Sequence, residues 1–413
     1  MKRTFNPTHV YLFIEVTASI FFPMIWVAAS LYQVTVAQLT PLQLVLIGTA
    51  LEVSAFVFEI PTGVVADIYS RKLSIIIGYI LMGIGFIYES LFPSFWPLIL
   101  AQVIWGLGYT FTSGATEAWI SDEIGEENAN KLFLRATRWA LYASLLGMAL
   151  SALVGINNVA MPIFWGGFGL SLVGVALIFI MPETGFQPTP REDRNTWGQM
   201  VFTFKEGVHV VRSRPHLMTI LGIGLFYGLY SEGFDRLWVK HIVDTFEIPA
   251  LFYGSELVFL SVLRIIGTVL TIAALRPIEK RLDTSNPIVI GRAMFFITAA
   301  ISLSLIAFAF APTLNAIIIA FLFIWIFRRI AGPLYTAWVN KKLDSGTRAT
   351  VISISSQVDA VGQIAGGPGV GLIAKLVSVV AALTTSGLLL TPALWLVVKA
   401  NRQSHALDEE NKT

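Results

Sequence analysis

An all-α membrane protein, with twelve transmembrane helices in two six-helix repeats, is the fold class this chain predicts. Three observations carry that expectation. Of the 413 residues, 55% are hydrophobic and only 13% charged, with a mean hydropathy of +0.72. A soluble domain carries about 25% charged residues, so this chain could not hide its apolar surface in water. The excess is gathered in runs of about 20 residues or more, the length at which a helix crosses ~30 Å of hydrocarbon. A charged, proline-broken stretch then divides those runs six and six. Helices are expected rather than a barrel because the runs are continuous, not alternating, and a helix satisfies its own backbone groups in lipid.

In chain order the predicted spans are 9–33, 41–62, 73–93, 96–121, 133–157, 160–182, 215–240, 249–276, 287–310, 312–340, 350–374 and 378–399. The first carries Glu15 and lacks the cleavage-site chemistry of a removable signal peptide, so it reads as a span. Residues 183–214 form the linker. Glu183, Arg191, Glu192, Asp193, Arg194, Lys205, Glu206, Arg212 and Arg214 crowd it, and Pro188 and Pro190 interrupt any helix. Within it Trp197, Met200, Val201, Phe204, Val208 and Val211 recur at helical spacing, which predicts an amphipathic helix lying on the membrane surface. The two halves are therefore residues 1–182 and 215–413, the second ending in a polar tail from Asn401 that is expected to be loose.

Lysine and arginine concentrate at the N-terminus, in the even-to-odd loops, in the linker and in the tail. Arg236, Arg264, Arg328 and Arg329 lie inside spans, and Lys240 and Lys375 fall on the other side. That bias predicts a multi-pass protein of the cell membrane with both termini in the cytoplasm. Cysteine is absent, which excludes disulfides, thiolate metal sites and iron–sulfur clusters. There is no HExxH, GxSxG or P-loop, and the five histidines stand in loops or at span ends, so no enzyme, metal site or cofactor is expected. The net charge of +2 gives no reason to expect nucleic acid. No repeated pore-lining segment suggests a channel. Without a nucleotide site, transport has to be secondary, driven by a gradient.

The halves echo each other. GATEAWISDE (Gly114–Glu123) closes the fourth span, with Arg135-Ala136-Thr137 at the next entry. GPLYTAWVNKK (Gly332–Lys342) closes the tenth, with Arg348-Ala349-Thr350 following. Two such repeats point to a transporter whose substrate path runs between them.

The turn after the second span reads GVVADIYSRK. It resembles the loop signature of the major facilitator superfamily, G-x-L-A-D-R-x-G-R-K, through Gly63, Ala66, Asp67, Arg71 and Lys72; Ile68 and Ser70 depart from it. FEIPTGVVAD, GATEAWISDE, SEGFDRLW, AWVNKKLDSGTRATVIS and DAVGQIAGGPGVG look like the drug-efflux branch with its tetracycline- and macrolide-type exporters. The resemblance implies the major facilitator fold, a monomer in the lipid bilayer, and alternating-access export of a small lipophilic substrate in exchange for protons. A lipid or lysolipid translocase, or a small-solute uptake permease, is the alternative on the same fold. It also implies a cytoplasmic latch in which Asp67 and Arg71 meet Asp122 and hold the halves together. In proton-coupled members an arginine stands four residues before a Gly-x-Gly of the fourth span; here Gln102 precedes Gly106-Leu107-Gly108.

A charge at mid-bilayer costs roughly 2.5–3.5 kcal/mol, so each one inside a span needs a partner or water. Glu52 reads as a coupling carboxyl that exchanges a proton as the cavity hydrates. In span seven Glu232 and Arg236 share a helix face, leaving Asp235 to point elsewhere, toward the cavity or an interfacial rim. Asp359 either faces the cavity or neutralises Arg264 or one of Arg328 and Arg329. Glu15, Glu59 and Glu117 read as structural. Trp26, Trp105, Tyr109, Phe111 and Phe226 are candidate cavity aromatics. The glycines of span eleven, from Gly362 to Gly371 around Pro368, are read chiefly as packing positions.

Overall fold

The computed structural model describes residues 5–187, 211–249, 252, 255–283, 286–341 and 345–410. The predicted amphipathic linker helix, apart from its last residue Val211, and the Pro188–Pro190 break lie outside the described residues. The described elements are all helical: α1 (Pro7–Thr35), α2 (Pro41–Ile68), α3 (Arg71–Leu91), α4 (Phe95–Thr112), α5 (Ala115–Ile124), α6 (Glu126–Gly155), α7 (Ala160–Ile180), α8 (Pro215–Thr245), α9 (Glu256–Arg281), α10 (Pro287–Ala309), α11 (Leu314–Val339), α12 (Ser345–Leu376), α13 (Val379–Leu388) and α14 (Thr391–Glu410). Counting α4–α5 and α13–α14 as one stretch each, eleven are long and apolar enough to cross a membrane. The twelfth, α12, has the length at 32 residues; Gln357, Asp359, Gln363 and its serines lower its apolarity.

Side chains placed at the helix starts explain several boundaries. Asn6 accepts from the Thr8 N–H at 2.9 Å and Thr313 from the Ala316 N–H at 3.2 Å, the usual N-cap geometry. Three expectations need correcting. The fourth span is not one helix: α4 stops at Thr112, Gly114 takes the left-handed φ of +69°, which favours glycine, and α5 restarts at Ala115. The twelfth is likewise two helices, meeting at Leu389–Leu390. The polar tail is helical as far as Glu410, and Ser404 within it is buried and bonded to His216 Nε2 at 2.7 Å.

The helices cluster into two compact units, residues 1–39, 50–196 and 248–265 in the first and 40–49, 197–247 and 266–413 in the second. The beginnings of α2 and α9 thus pack with helices of the other repeat. Inside the first unit α1 packs on α6 and α7, and α3 on α4 and α7. Inside the second α8 packs on α12 and on the α13–α14 stretch, and α10 on α11 and on the same stretch. In span order these are pairs 1·5, 1·6, 3·4 and 3·6, then 7·11, 7·12, 9·10 and 9·12. The two halves are one packing scheme used twice. The echoed tryptophans are both buried: Trp119 is 1% exposed and Trp338 fully buried. Trp119 Nε1 donates to the Pro182 carbonyl at 2.7 Å and so ties the end of span four to the end of span six.

Glycine sets the helix separations. A Cβ on Gly83 would strike the Gly167 carbonyl, and one on Gly147 the Ile20 backbone. In the second unit α8 and α12 cross with Gly228 against the Asp359 carbonyl and Gly362 against the Leu225 and Leu229 backbone. Small residues permit this backbone-to-backbone approach in a bilayer.

Candidate functional site

GVVADIYSRK is mostly helix. α2 runs on to Ile68, so only Tyr69 and Ser70 form the turn. Ser70, where the resembled signature has glycine, is the N-cap of α3: its Oγ accepts from the Leu73 N–H at 2.9 Å and donates to Glu183 at 2.7 Å. Glu183 also accepts from the Lys72 N–H at 2.9 Å, placing a carboxylate at a helix N-terminus. Lys72 Nζ donates to the Ile178 and Met181 carbonyls at 3.1 and 2.7 Å, covering the open end of α7. Arg71 pairs with Asp122 at 2.9 Å. Asp67 is exposed, and Gly63 has nothing within 4 Å of a Cβ built on it. The Arg71–Asp122 pair joins two elements of one repeat, α3 and α5.

The second unit gathers most of the predicted intramembrane charges. Glu232 and Arg236 form the expected i,i+4 pair at 3.2 Å. Glu232 is 3% exposed, and the pair lies beside Gly48 of α2, with Gly367 of α12 close by. Asp235 is engaged by another residue: Arg328 of α11 grips it with both amino groups, Nη2–Oδ2 at 2.7 Å. The Arg328 guanidinium also sits 5.5 Å over the Tyr230 ring and 5.6 Å over that of Phe234. Asp359 accepts from Gln363 Nε2 one turn on, at 2.7 Å; the carboxylate that grips Arg328 is Asp235. Arg329 lies 5.1 Å over Trp325. Tyr227 stacks on Tyr335 at 6.5 Å, and their hydroxyls bond to Thr298 and Ile220. Charge, amide and aromatic faces therefore converge on α8, α11 and α12.

The Asp235 side chain remains 44% exposed and Arg328 26%. Both stand well inside their helices, where a charge open to lipid is costly. Exposure there suits a hydrated passage.

In the first unit Glu52 is half-buried and Arg264 buried. Rings run from Phe22 to Trp26, Phe86, Trp105 and Tyr109 at 5.5–6.5 Å; Trp26 and Tyr109 are exposed. One acidic residue escaped the sequence reading. Glu89 is fully buried near the end of α3, its oxygens accepting from Gln33 Nε2 at 2.7 Å and Gln102 Nε2 at 3.1 Å. It stands two residues before the end of α3. The available signal was the pair of glutamines in otherwise apolar spans.

The family model described as "Major Facilitator Superfamily" matches residues 10–367. The uncharacterized MFS-type transporter YxaM of Bacillus subtilis (strain 168) is 27% identical over 365 residues, 86% of this chain and 85% of that one. Among solved structures, the nucleoside transporter NupG superposes with a TM-score of 0.72 at 15% identity, covering 97% of this chain and 99% of that one. A D-xylose-proton symporter gives 0.66 at 13%, covering 95% and 97%. At such identities the structures speak for the fold alone. With the twice-used packing scheme and the family match over most of its length, the chain belongs to the Major Facilitator Superfamily and is an integral multi-pass membrane protein of the secondary-transporter type.

Proposed function

We propose that the protein exports small lipophilic, cationic compounds across the cell membrane in exchange for protons, with both termini in the cytoplasm. The observation that carries this reading is the half-exposed Asp235–Arg328 pair on its aromatic ledge. The carboxylate offers a counter-charge to an organic cation, while the buried Tyr230 and Phe234 rings seat the arginine that holds it. Arg328 holds the carboxylate in place until substrate or proton competes for it. Inverted membrane vesicles given an acid interior should accumulate tetraphenylphosphonium, and a protonophore should release it. Uptake indifferent to the pH gradient would defeat the antiport reading.

The loop Gly63–Lys72 acts in this scheme as the cytoplasmic latch. Arg71, Asp122, Lys72 and Glu183 fix the corner, and exposed Asp67 supplies the charge that meets the other half. Asp67→Asn should lower transport several-fold at equal expression. Lys72→Gln should chiefly lower thermal stability, through the uncovered end of α7. The opposite ranking in vesicle uptake would remove Asp67 from the gate.

A further inference from the structure

The Gln33–Glu89–Gln102 cluster lies outside the site just described. We infer that Glu89, held between the Gln33 and Gln102 amides, is a proton-binding site of the first repeat. This rests on the proton-coupled reading and assigns it a residue.

The geometry is that of a carboxyl designed to be satisfied twice. Glu89 is fully buried, Gln33 is 5% exposed and Gln102 3%. Each carboxylate oxygen accepts from a different amide, one on α1 and one on α4. The last turn of α3 presents backbone carbonyls, so the ionised carboxylate draws on side-chain donors there. A buried polar group left without its hydrogen bond is costly. Glutamine differs from arginine on that point: its amide offers both a donor NH2 and an acceptor oxygen, whereas a guanidinium only donates. When a proton arrives on Glu89, rotation of one amide turns its oxygen toward the new O–H, and the cluster stays satisfied. When the proton leaves, the amide rotates back. Gln102 holds the place where the resembled signature has arginine. An arginine there would favour the ionised form alone; the amide lets the proton come and go.

The groups around the cluster fit this role. Tyr32, one residue from Gln33, donates its hydroxyl to the Ser90 carbonyl at 3.2 Å and is the neighbouring titratable side chain on α1. The other ionisable side chains of α1, His9, Tyr11 and Glu15, lie toward its opposite end; α7 carries none, and α4 has Tyr109 two turns beyond Gln102. On α5, packed against α3, Glu117, Asp122 and Glu123 stand toward the Arg71 end, and on α3 itself Tyr79 and Tyr88 are the titratable residues beyond the first turn.

Infrared difference spectra of the purified full-length protein, stepped in pH, provide the test without a known substrate. Wild type should show a protonated-carboxyl C=O band that appears and disappears with pH, and Glu89→Gln, nearly isosteric, should lack it. Gln102→Leu should keep the band but move its midpoint by about one pH unit. In inverted vesicles Glu89→Gln should lose gradient-driven tetraphenylphosphonium uptake. A titrating band that survives in Glu89→Gln, or a midpoint unmoved in Gln102→Leu, overturns the proposal. Gradient-driven uptake in wild type and equally in Glu89→Gln sinks the Glu89 assignment alone. Wild-type uptake that ignores the gradient sinks the coupling reading and this assignment with it.

Discussion

Arg328→Ala is expected to cut gradient-driven uptake of tetraphenylphosphonium by roughly tenfold or more, the scale set by losing one charge-assisted, bidentate contact at a binding surface. The guanidinium grips Asp235 and at the same time lies over Tyr230 and Phe234. Removing it frees the carboxylate to swing and empties the space over both rings. Arg328→Lys should recover little, because an ammonium cannot make the two parallel bonds or lie flat on the rings. Asp235→Asn should be nearly as damaging, since an amide gives the cation no charge to exchange against. Stability should respond weakly: with Asp235 44% exposed, screening and side-chain freedom leave the pair a small share of folding energy. The decisive comparison is therefore uptake against melting temperature for each variant. Arg328→Ala with normal uptake, or with uptake and melting temperature falling together, would take the pair out of the transport path.

Sequence showed the architecture because burial in lipid leaves few options. Apolar runs of bilayer length have to be helices, and the echo around Trp119 and Trp338 located the repeat before any packing was known. Helix interruptions were less visible. The break at Ser113–Gly114 falls inside the predicted span 96–121, and a span-length hydropathy reading does not resolve a single left-handed glycine. The partners of charges were harder still. Glu232 and Arg236 are four apart on one helix, so their pairing could be read directly. Asp235 and Arg328 are separated by 93 residues, and only the α8–α11 approach makes them neighbours. Gln102 was conspicuous as a departure from the resembled signature, but Glu89 on the next helix back is what gives that departure a chemistry. Ser70 is a similar case: it departs from the signature by becoming an N-cap.

The α8–α12 crossing has the next largest expected effect, because it fixes where the charged side chains of both helices stand. Gly362→Val is expected to abolish recovery of monodisperse protein. A Cβ at Gly362 already meets the Leu229 N at 2.9 Å and the Gly228 Cα at 3.0 Å, and neither is a side-chain tip that can turn aside. Overpacking of this kind costs typically 1–3 kcal/mol even where side chains can adjust; a backbone has less room to adjust. Gly369→Ala on the same helix is the control. Nothing lies within 4 Å of its Cβ, and alanine is the better helix former, so its melting temperature should be unchanged or slightly higher. Gly228→Ala, which adds a single carbon, links packing to function. Its new methyl would press on the Asp359 carbonyl, pushing α12 away from α8 and carrying Asp359 away from the Asp235–Arg328 pair. It should fold at reduced yield and transport less per folded molecule. Size-exclusion profiles and vesicle uptake normalised to folded protein separate the two losses. A Gly362→Val protein as stable as Gly369→Ala would show that the helices can part without cost, and the placement of Asp359 by this crossing would then have to be abandoned.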